Sequence, residues 1–161
     1  MSEMLKVGMA DLAVGRSPAI LKTCGLGSCV GICLLDPGTK VGGMAHIMLP
    51  VSSLAKSVEN PAKYADTAVP LMVKRMQDLG ANRSRMIAKI AGGAQMFLFA
   101  GSSEVMRIGE RNAQAVKDAL RELGIHVIAE DIGGNYGRTI EFACESGTLK
   151  IKTFEHGERE L

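Results

Sequence analysis

Two apolar runs, residues 29–35 and 41–49, flank the tetrapeptide Asp36-Pro37-Gly38-Thr39, and this arrangement constrains the fold more than any other stretch of the chain. Proline at the second position and glycine at the third suit a type II turn, so the two runs are expected to pair as the arms of a β-hairpin. The numbers of facing residues in a hairpin add to a constant. If Asp36 and Thr39 close the turn that constant is 75, which sets Cys29 directly across from His46 on one face. Facing Cβ atoms lie about 4.5–5.5 Å apart, close enough for a thiol–imidazole hydrogen bond. Such a pair supports a thiolate and an imidazolium, which lowers the thiol pKa and supplies a proton donor for a leaving group. On the residues alone, the alternative is a buried structural cysteine beside a satisfied core histidine.

The rest of the chain supplies the layers such a hairpin would need. Residues 19–23 read as a short strand ending in the turn-forming Gly25-Leu26-Gly27-Ser28. Asn60-Pro61 offers an N-cap and a first-turn proline to a helix in which Ala65, Ala68, Met72, Met76 and Leu79 recur at helical spacing up to Gly80, with Pro70 as a place for a kink. Residues 86–91 read as a strand running into Gly92-Gly93. A second helix is expected over 109–123, with Ala113, Val116, Leu120 and Leu123 on one face and Gly124 as its stop. Residues 125–132, 138–143 and 148–154 read as three further strands. The expected fold is α/β (α+β): one domain over residues 1–161, a layered sandwich of mainly antiparallel β-sheet with about six strands and two long helices, carrying a Cys-His site on its hairpin.

Composition narrows the function classes. With 161 residues, 47% of them hydrophobic, the chain can bury a core without covalent staples, so its four cysteines are expected to be reduced thiols. Nineteen basic against 17 acidic residues leave a formal charge of +2, too balanced for a protein that works by neutralising phosphates, so no nucleic-acid partner is expected. No stretch approaches the ~18 uninterrupted apolar residues of a membrane helix, which argues against direct membrane insertion and for a cytoplasmic location. Three motif readings of residues 23–33 fail. Gly25-Leu26-Gly27 lacks the third glycine and the helix of a dinucleotide fingerprint. Gly27-Ser28-Cys29-Val30-Gly31 lacks the strand–turn–helix context of a nucleophile elbow. Cys24, Cys29 and Cys33 match no ordinary zinc spacing, and neither a metal nor an organic cofactor is expected.

Thr23-Cys24-Gly25-Leu26-Gly27-Ser28-Cys29-Val30, followed by Met44-Ala45-His46-Ile47-Met48-Leu49-Pro50, resembles the CheD family of chemoreceptor glutamine deamidases. The resemblance continues, in order and spacing, through Lys63-Tyr64-Ala65-Asp66, Lys89-Ile90-Ala91-Gly92-Gly93-Ala94-Gln95-Met96-Phe97, Ile108-Gly109-Glu110-Arg111-Asn112 and Gly133-Gly134-Asn135-Tyr136-Gly137-Arg138. It implies a layered α/β fold and a Cys-His-Thr site: Cys29 as nucleophile, His46 as base and Thr23 as third member. The substrates it implies are glutamine side chains on the cytoplasmic helices of chemoreceptors (methyl-accepting chemotaxis proteins). It also implies a second partner, the phosphatase CheC, competing for the same surface. The turn at Gly27 and Ser28 is expected to supply backbone N–H groups to an oxyanion. Phe97 and Phe99, after a glycine turn, are candidates for partner contact, with ordinary core packing as the alternative. Two readings from other classes stay open: an interaction module that activates the phosphatase, and a thiol amidase or esterase acting on a small metabolite or a receptor methyl ester.

Overall fold

A computed structural model describes residues 3–96 and 107–161. Phe97 and Phe99 lie outside the described residues. Among those described, the chain forms ten strands and two long helices. In order these are β1 (Met4–Lys6), β2 (Asp11–Arg16), β3 (Ile20–Leu26), β4 (Val30–Asp36), β5 (Val41–Ile47), α1 (Ala65–Asp78), β6 (Ile87–Gly92), α2 (Ile108–Glu122), β7 (His126–Ile132), β8 (Arg138–Ala143), β9 (Leu149–Thr153) and β10 (Gly157–Glu160). They build two five-stranded sheets, ordered β1-β3-β8-β9-β10 and β2-β5-β4-β6-β7. Pairing is antiparallel except for β1 with β3 and β6 with β7. The last parallel pair needs a crossover, and α2 lies in it.

The expected layered α+β architecture is present. One core lies between the second sheet and the helices, where Val30, Ile32, Leu34, Val41, Ala45 and Ile47 meet the stripes of α1 (Ala65, Ala68, Val69, Met72, Val73, Met76) and α2 (Ala113, Val116, Leu120). The other lies between the two sheets, where Cys29, Cys33, Leu35 and Met44 meet Leu21, Leu26, Ile140 and Phe142. The hairpin strands β4 and β5 are therefore covered on both faces, and every one of their residues is buried. That is why their sequence runs apolar without alternation.

The hairpin forms, with a different register from the one expected. Asp36 pairs with Val41, leaving residues 37–40 as the loop, so facing residues add to 77 and Gly31, not Cys29, stands opposite His46. The Asp36 side chain explains the longer loop. Its carboxylate accepts the Gly38 N–H at 2.8 Å and the Thr39 hydroxyl at 3.1 Å, drawing both into a turn around itself. Lys40 then closes the loop in a left-handed conformation (φ 59°), its N–H donating to the Asp36 carbonyl at 2.9 Å. The shift is by two residues, so Cys29 and His46 keep the same face of the sheet and become diagonal rather than direct neighbours.

The first helix also begins later than the Asn60-Pro61 signal suggests. Asn60 caps a short 3-10 turn, Pro61–Lys63, by accepting the Ala62 N–H, and α1 starts only after Tyr64. Between them the chain is held extended against the end of β5. The Lys63 carbonyl accepts the N–H groups of Met48 and Leu49, and the Leu49 carbonyl accepts that of Ala65 at 3.0 Å. Pro70 lies within α1. The strands absent from the sequence reading are β1, β2 and β10.

Candidate active site

Three elements carry the expected site residues; Thr23 and His46 are brought into hydrogen-bond contact, whereas the expected thiol–imidazole hydrogen bond between Cys29 and His46 is not made. Thr23 stands on β3 of the first sheet, His46 near the end of β5 in the second, and Cys29 just before β4, with its side chain in the inter-sheet core. Just past Thr23 the β3–β8 pairing shifts by one residue, a bulge that Gly25 makes possible with φ 72°. Thr23 points inward, 2% exposed, while its neighbour Cys24 is exposed on the other side.

The Thr23 hydroxyl fixes the state of His46. Its oxygen donates to the Val7 carbonyl at 2.7 Å and also lies 2.7 Å from His46 Nδ1. A hydroxyl has one hydrogen, so with that hydrogen on Val7 the second contact must be Nδ1–H donating to the threonine oxygen. Nε2 is then the unprotonated nitrogen. It is buried and has no hydrogen-bond partner among the described residues, which leaves a bare lone pair in a fully buried imidazole.

The turn leading into Cys29 is held by its carbonyls. Those of three consecutive residues each accept a bond from outside the turn: Gly27 from the Ala94 N–H at 2.9 Å, Ser28 from Asn112 Nδ2 at 3.0 Å, and Cys29 from the Gly93 N–H at 2.9 Å. The Gly27 N–H, expected to face an oxyanion, is instead spent on the Gly25 carbonyl at 3.1 Å, whereas those of Ser28 and Cys29 have no backbone acceptor among the described residues. Residues 92–95 are themselves anchored. The Gly92 carbonyl accepts the Gly133 N–H at 3.0 Å, the Gln95 N–H donates to the Gly134 carbonyl at 2.9 Å, and Arg138, paired with Asp131 at 3.0 Å, donates to the Gly133 carbonyl.

Electrostatics here differ from the expected ion pair. Burial pushes the Cys29 thiol up, partly offset by its own backbone N–H, and burial pushes His46 down. The displacements favour an uncharged Cys29 thiol and an uncharged His46 imidazole at neutral pH. The remaining buried thiols are less acidic still in their surroundings: burial pushes Cys144 up to about 11, and Cys33 is raised further by burial and by the nearby Cys144. Among the described residues no three His, Cys, Asp or Glu side chains converge as a ligand set for a metal ion.

Sequence reasoning quoted Asn112, Gly93, Ala94 and Arg138 within motifs without giving them a role, and it did not single out Val7. Backbone groups leave no mark in a sequence. Asn112 does leave one, a polar residue on the apolar stripe of α2 between Gly109 and Ala113, both buried.

Comparison with known proteins identifies the family. Residues 48–153 match the family model CheD, described as chemotactic sensory transduction. That match begins two residues after His46, and the relatives below span the rest of the chain. The chain is 55% identical over 159 residues, 99% of each chain, to a protein of Desulfitobacterium hafniense (strain DSM 10664 / DCB-2) named probable chemoreceptor glutamine deamidase CheD. It is likewise 55% identical over 162 residues, the full length of both, to the chemoreceptor glutamine deamidase CheD of Halalkalibacterium halodurans. A probable deamidase of the same name from Syntrophomonas wolfei is 54% identical over 99% of each chain. The chain therefore belongs to the CheD family of chemotactic sensory transduction proteins.

Proposed function

We infer that this protein deamidates glutamine side chains on chemoreceptor cytoplasmic helices, with Cys29 as nucleophile, His46 as general base and acid, and Thr23 as the group that orients His46. The observation that carries this reading is the Val7–Thr23–His46 relay, which presents an unprotonated Nε2 on the sheet face that Cys29 shares. Because both groups rest uncharged, the Cys29 proton passes to Nε2 as sulfur bonds to the amide carbon. The tetrahedral oxyanion lies within the turn whose carbonyls are all engaged elsewhere, and the N–H groups of Ser28 and Cys29, which have no backbone acceptor among the described residues, receive it. Nε2–H then protonates the amide nitrogen, the C–N bond breaks and ammonia leaves a thioester. Water, losing a proton to Nε2, adds to that thioester, and the C–S bond breaks to give glutamate and the thiol again.

Each event replaces a neutral amide by a negative charge on a receptor helix, as adaptation in chemotaxis requires. The work is done from the cytoplasmic side; among the described residues no helix is long and apolar enough to cross a membrane. The phosphatase CheC is the second partner proposed, competing with receptor for the surface around the site, with Phe97 and Phe99 among the contacts to be tested.

The test is mass spectrometry of receptor cytoplasmic fragments incubated with the wild-type protein, Cys29→Ala and His46→Ala. Wild type is expected to convert particular glutamines to glutamates, and both variants to lose that conversion while keeping their circular dichroism. Turnover retained in either folded variant overturns the assignment. Loss of methyl groups without loss of amides would make the protein an esterase instead.

A further inference from the structure

We propose that Asn112 is a positioning residue for the reaction: from α2 it clamps together the chain segments that carry Cys29 and His46. This rests on the assignment of those two residues above. Asn112 is fully buried. Its Nδ2 spends both hydrogens on backbone carbonyls, that of Ser28 at 3.0 Å and that of Met48 at 3.0 Å. Ser28 immediately precedes Cys29, and Met48 lies two residues beyond His46. Both carbonyls lie beyond the ends of the hairpin ladder, which stops at Val30 opposite Ile47. Beyond that last pair no ladder bond fixes how far apart the two segments stand, and the Asn112 amide takes over the task.

The other half of the amide identifies what the side chain is for. Asn112 Oδ1 is buried and has no hydrogen-bond partner among the described residues. A leucine would fill this volume without leaving an acceptor unmade, so packing on the apolar stripe of α2 does not account for an asparagine. Two donors fixed in one plane do. The Ser28 carbonyl is the middle one of the three held behind the turn. Gly93 and Ala94 hold its neighbours through backbone, and Asn112 is the one holder of the three that acts through a side chain. Releasing it would free the Ser28–Cys29 peptide to turn, which moves the Cys29 N–H and the sulfur together relative to Nε2.

The experiment compares Asn112→Ser and Asn112→Asp with Val116→Ala, a core truncation one turn further along α2. All three are scored for kcat and KM on receptor fragments, for Tm, and for the rate of Cys29 alkylation by iodoacetamide with and without His46→Ala. Asn112→Asp keeps the shape of the side chain but exchanges its donor for an acceptor, and it stands in if Asn112→Ser does not fold. The expected result is a fall in kcat of about 10²-fold with KM nearly unchanged in the Asn112 variants, as misplacement of a reacting group produces. Val116→Ala should lose Tm and keep kcat. Removing His46 should slow Cys29 alkylation in the wild-type background and have little effect in the Asn112 background, because the two groups are no longer held in register.

Unchanged kcat in the Asn112 variants overturns the proposal. So does an equal loss in Val116→Ala at matched Tm, or failure of both Asn112 variants to fold, since either makes the residue merely structural. If wild type proves inactive on receptor, the deamidase reading fails instead, and the alkylation comparison still decides the clamp.

Discussion

Thr23 shows how one hydroxyl can determine the chemistry of a site. Replacing it by valine, nearly the same shape, removes both the donor to Val7 and the acceptor for His46 Nδ1–H, so the imidazole is free to take the other tautomer and rotate. Thr23→Val is expected to lower kcat by about 10²-fold with a stability cost of about 1–2 kcal/mol for the groups left unpaired, and Thr23→Ser to retain most activity. Activity assays beside thermal melts check both. The pH profile follows from the same burial. His46 is displaced downward from 6.5, so its proton-accepting form persists below that value, and kcat/KM should stay level from pH 8 down past 6.5 before it falls. An acid limb centred at or above 6.5 would mean that His46 is stabilised as the cation. For stability the sign is the same: as pH falls through about 6.5 the unfolded chain takes up a proton that folded His46 refuses, so this contribution is present above that pH and lost below it. The family resemblance pointed to Cys29, His46 and Thr23 as the site, and the common face of the first two was legible through hairpin parity. Their protonation was not, because it depends on burial between two sheets that no short stretch of sequence reveals.

At the level of elements, the hairpin loop is the instructive case. Asp-Pro-Gly-Thr announced a turn but not its type, since Gly38 lacks the positive φ of a type II turn and Lys40 takes the left-handed position instead. The loop length was set by contacts from elsewhere in the chain. Asp36 also accepts the Asn82 N–H at 2.8 Å and two bonds from Arg85 at 2.9 Å, all from the segment after α1. The Arg85 guanidinium, with those N–H donors, holds the Asp36 carboxyl well below the usual carboxylate range. Asp36→Asn should therefore lower Tm by about 5 °C or more. It should also flatten the loss of stability below about pH 4, since a depressed folded pKa contributes stability above the unfolded value that disappears on acidification. The loop lies at the opposite end of the hairpin from Cys29 and His46, about 20 Å away at some 3.3 Å per residue. Below its Tm, the variant should thus keep the wild-type kcat; a large fall there would show that the loop sets more than stability. The late start of α1 has a similar origin, since Asn60 does cap a helical turn, but pairing of residues 63–65 with the end of β5 outweighs local propensity. Strands β1, β2 and β10 escaped notice because the first and last are only three and four residues long and all three lie at sheet edges, where apolar patterning is weak.

Across the whole molecule, the site stands where three layers meet: the first sheet gives Thr23, the second gives Cys29 and His46, and the helix layer reaches the same turn through Asn112. The end of β6 passes close against the turn that carries Cys29. Gly92 has φ 114°, and a Cβ there would lie 2.3 Å from the Cys29 carbonyl oxygen and 3.2 Å from the Val30 Cα, both backbone atoms that cannot swing aside. Gly92→Ala must therefore push apart β6 and the segment bearing Cys29, besides straining its own backbone. Gly124, after α2, provides the control: it too is left-handed, at φ 73°, but a Cβ there meets nothing within 4 Å. Gly124→Ala should cost about 1–2 kcal/mol of stability from backbone strain alone and leave kcat untouched. Gly92→Ala should cost more stability and, measured well below its Tm, should reduce kcat by about 10²-fold with bound receptor fragment still detectable, because displacement of Cys29 affects the reacting sulfur and the N–H donors together. If Gly92→Ala instead matches Gly124→Ala in both Tm and kcat, the turn before β4 does not depend on the end of β6 for its place, and the Asn112 bond from α2 to the Ser28 carbonyl would have to position it.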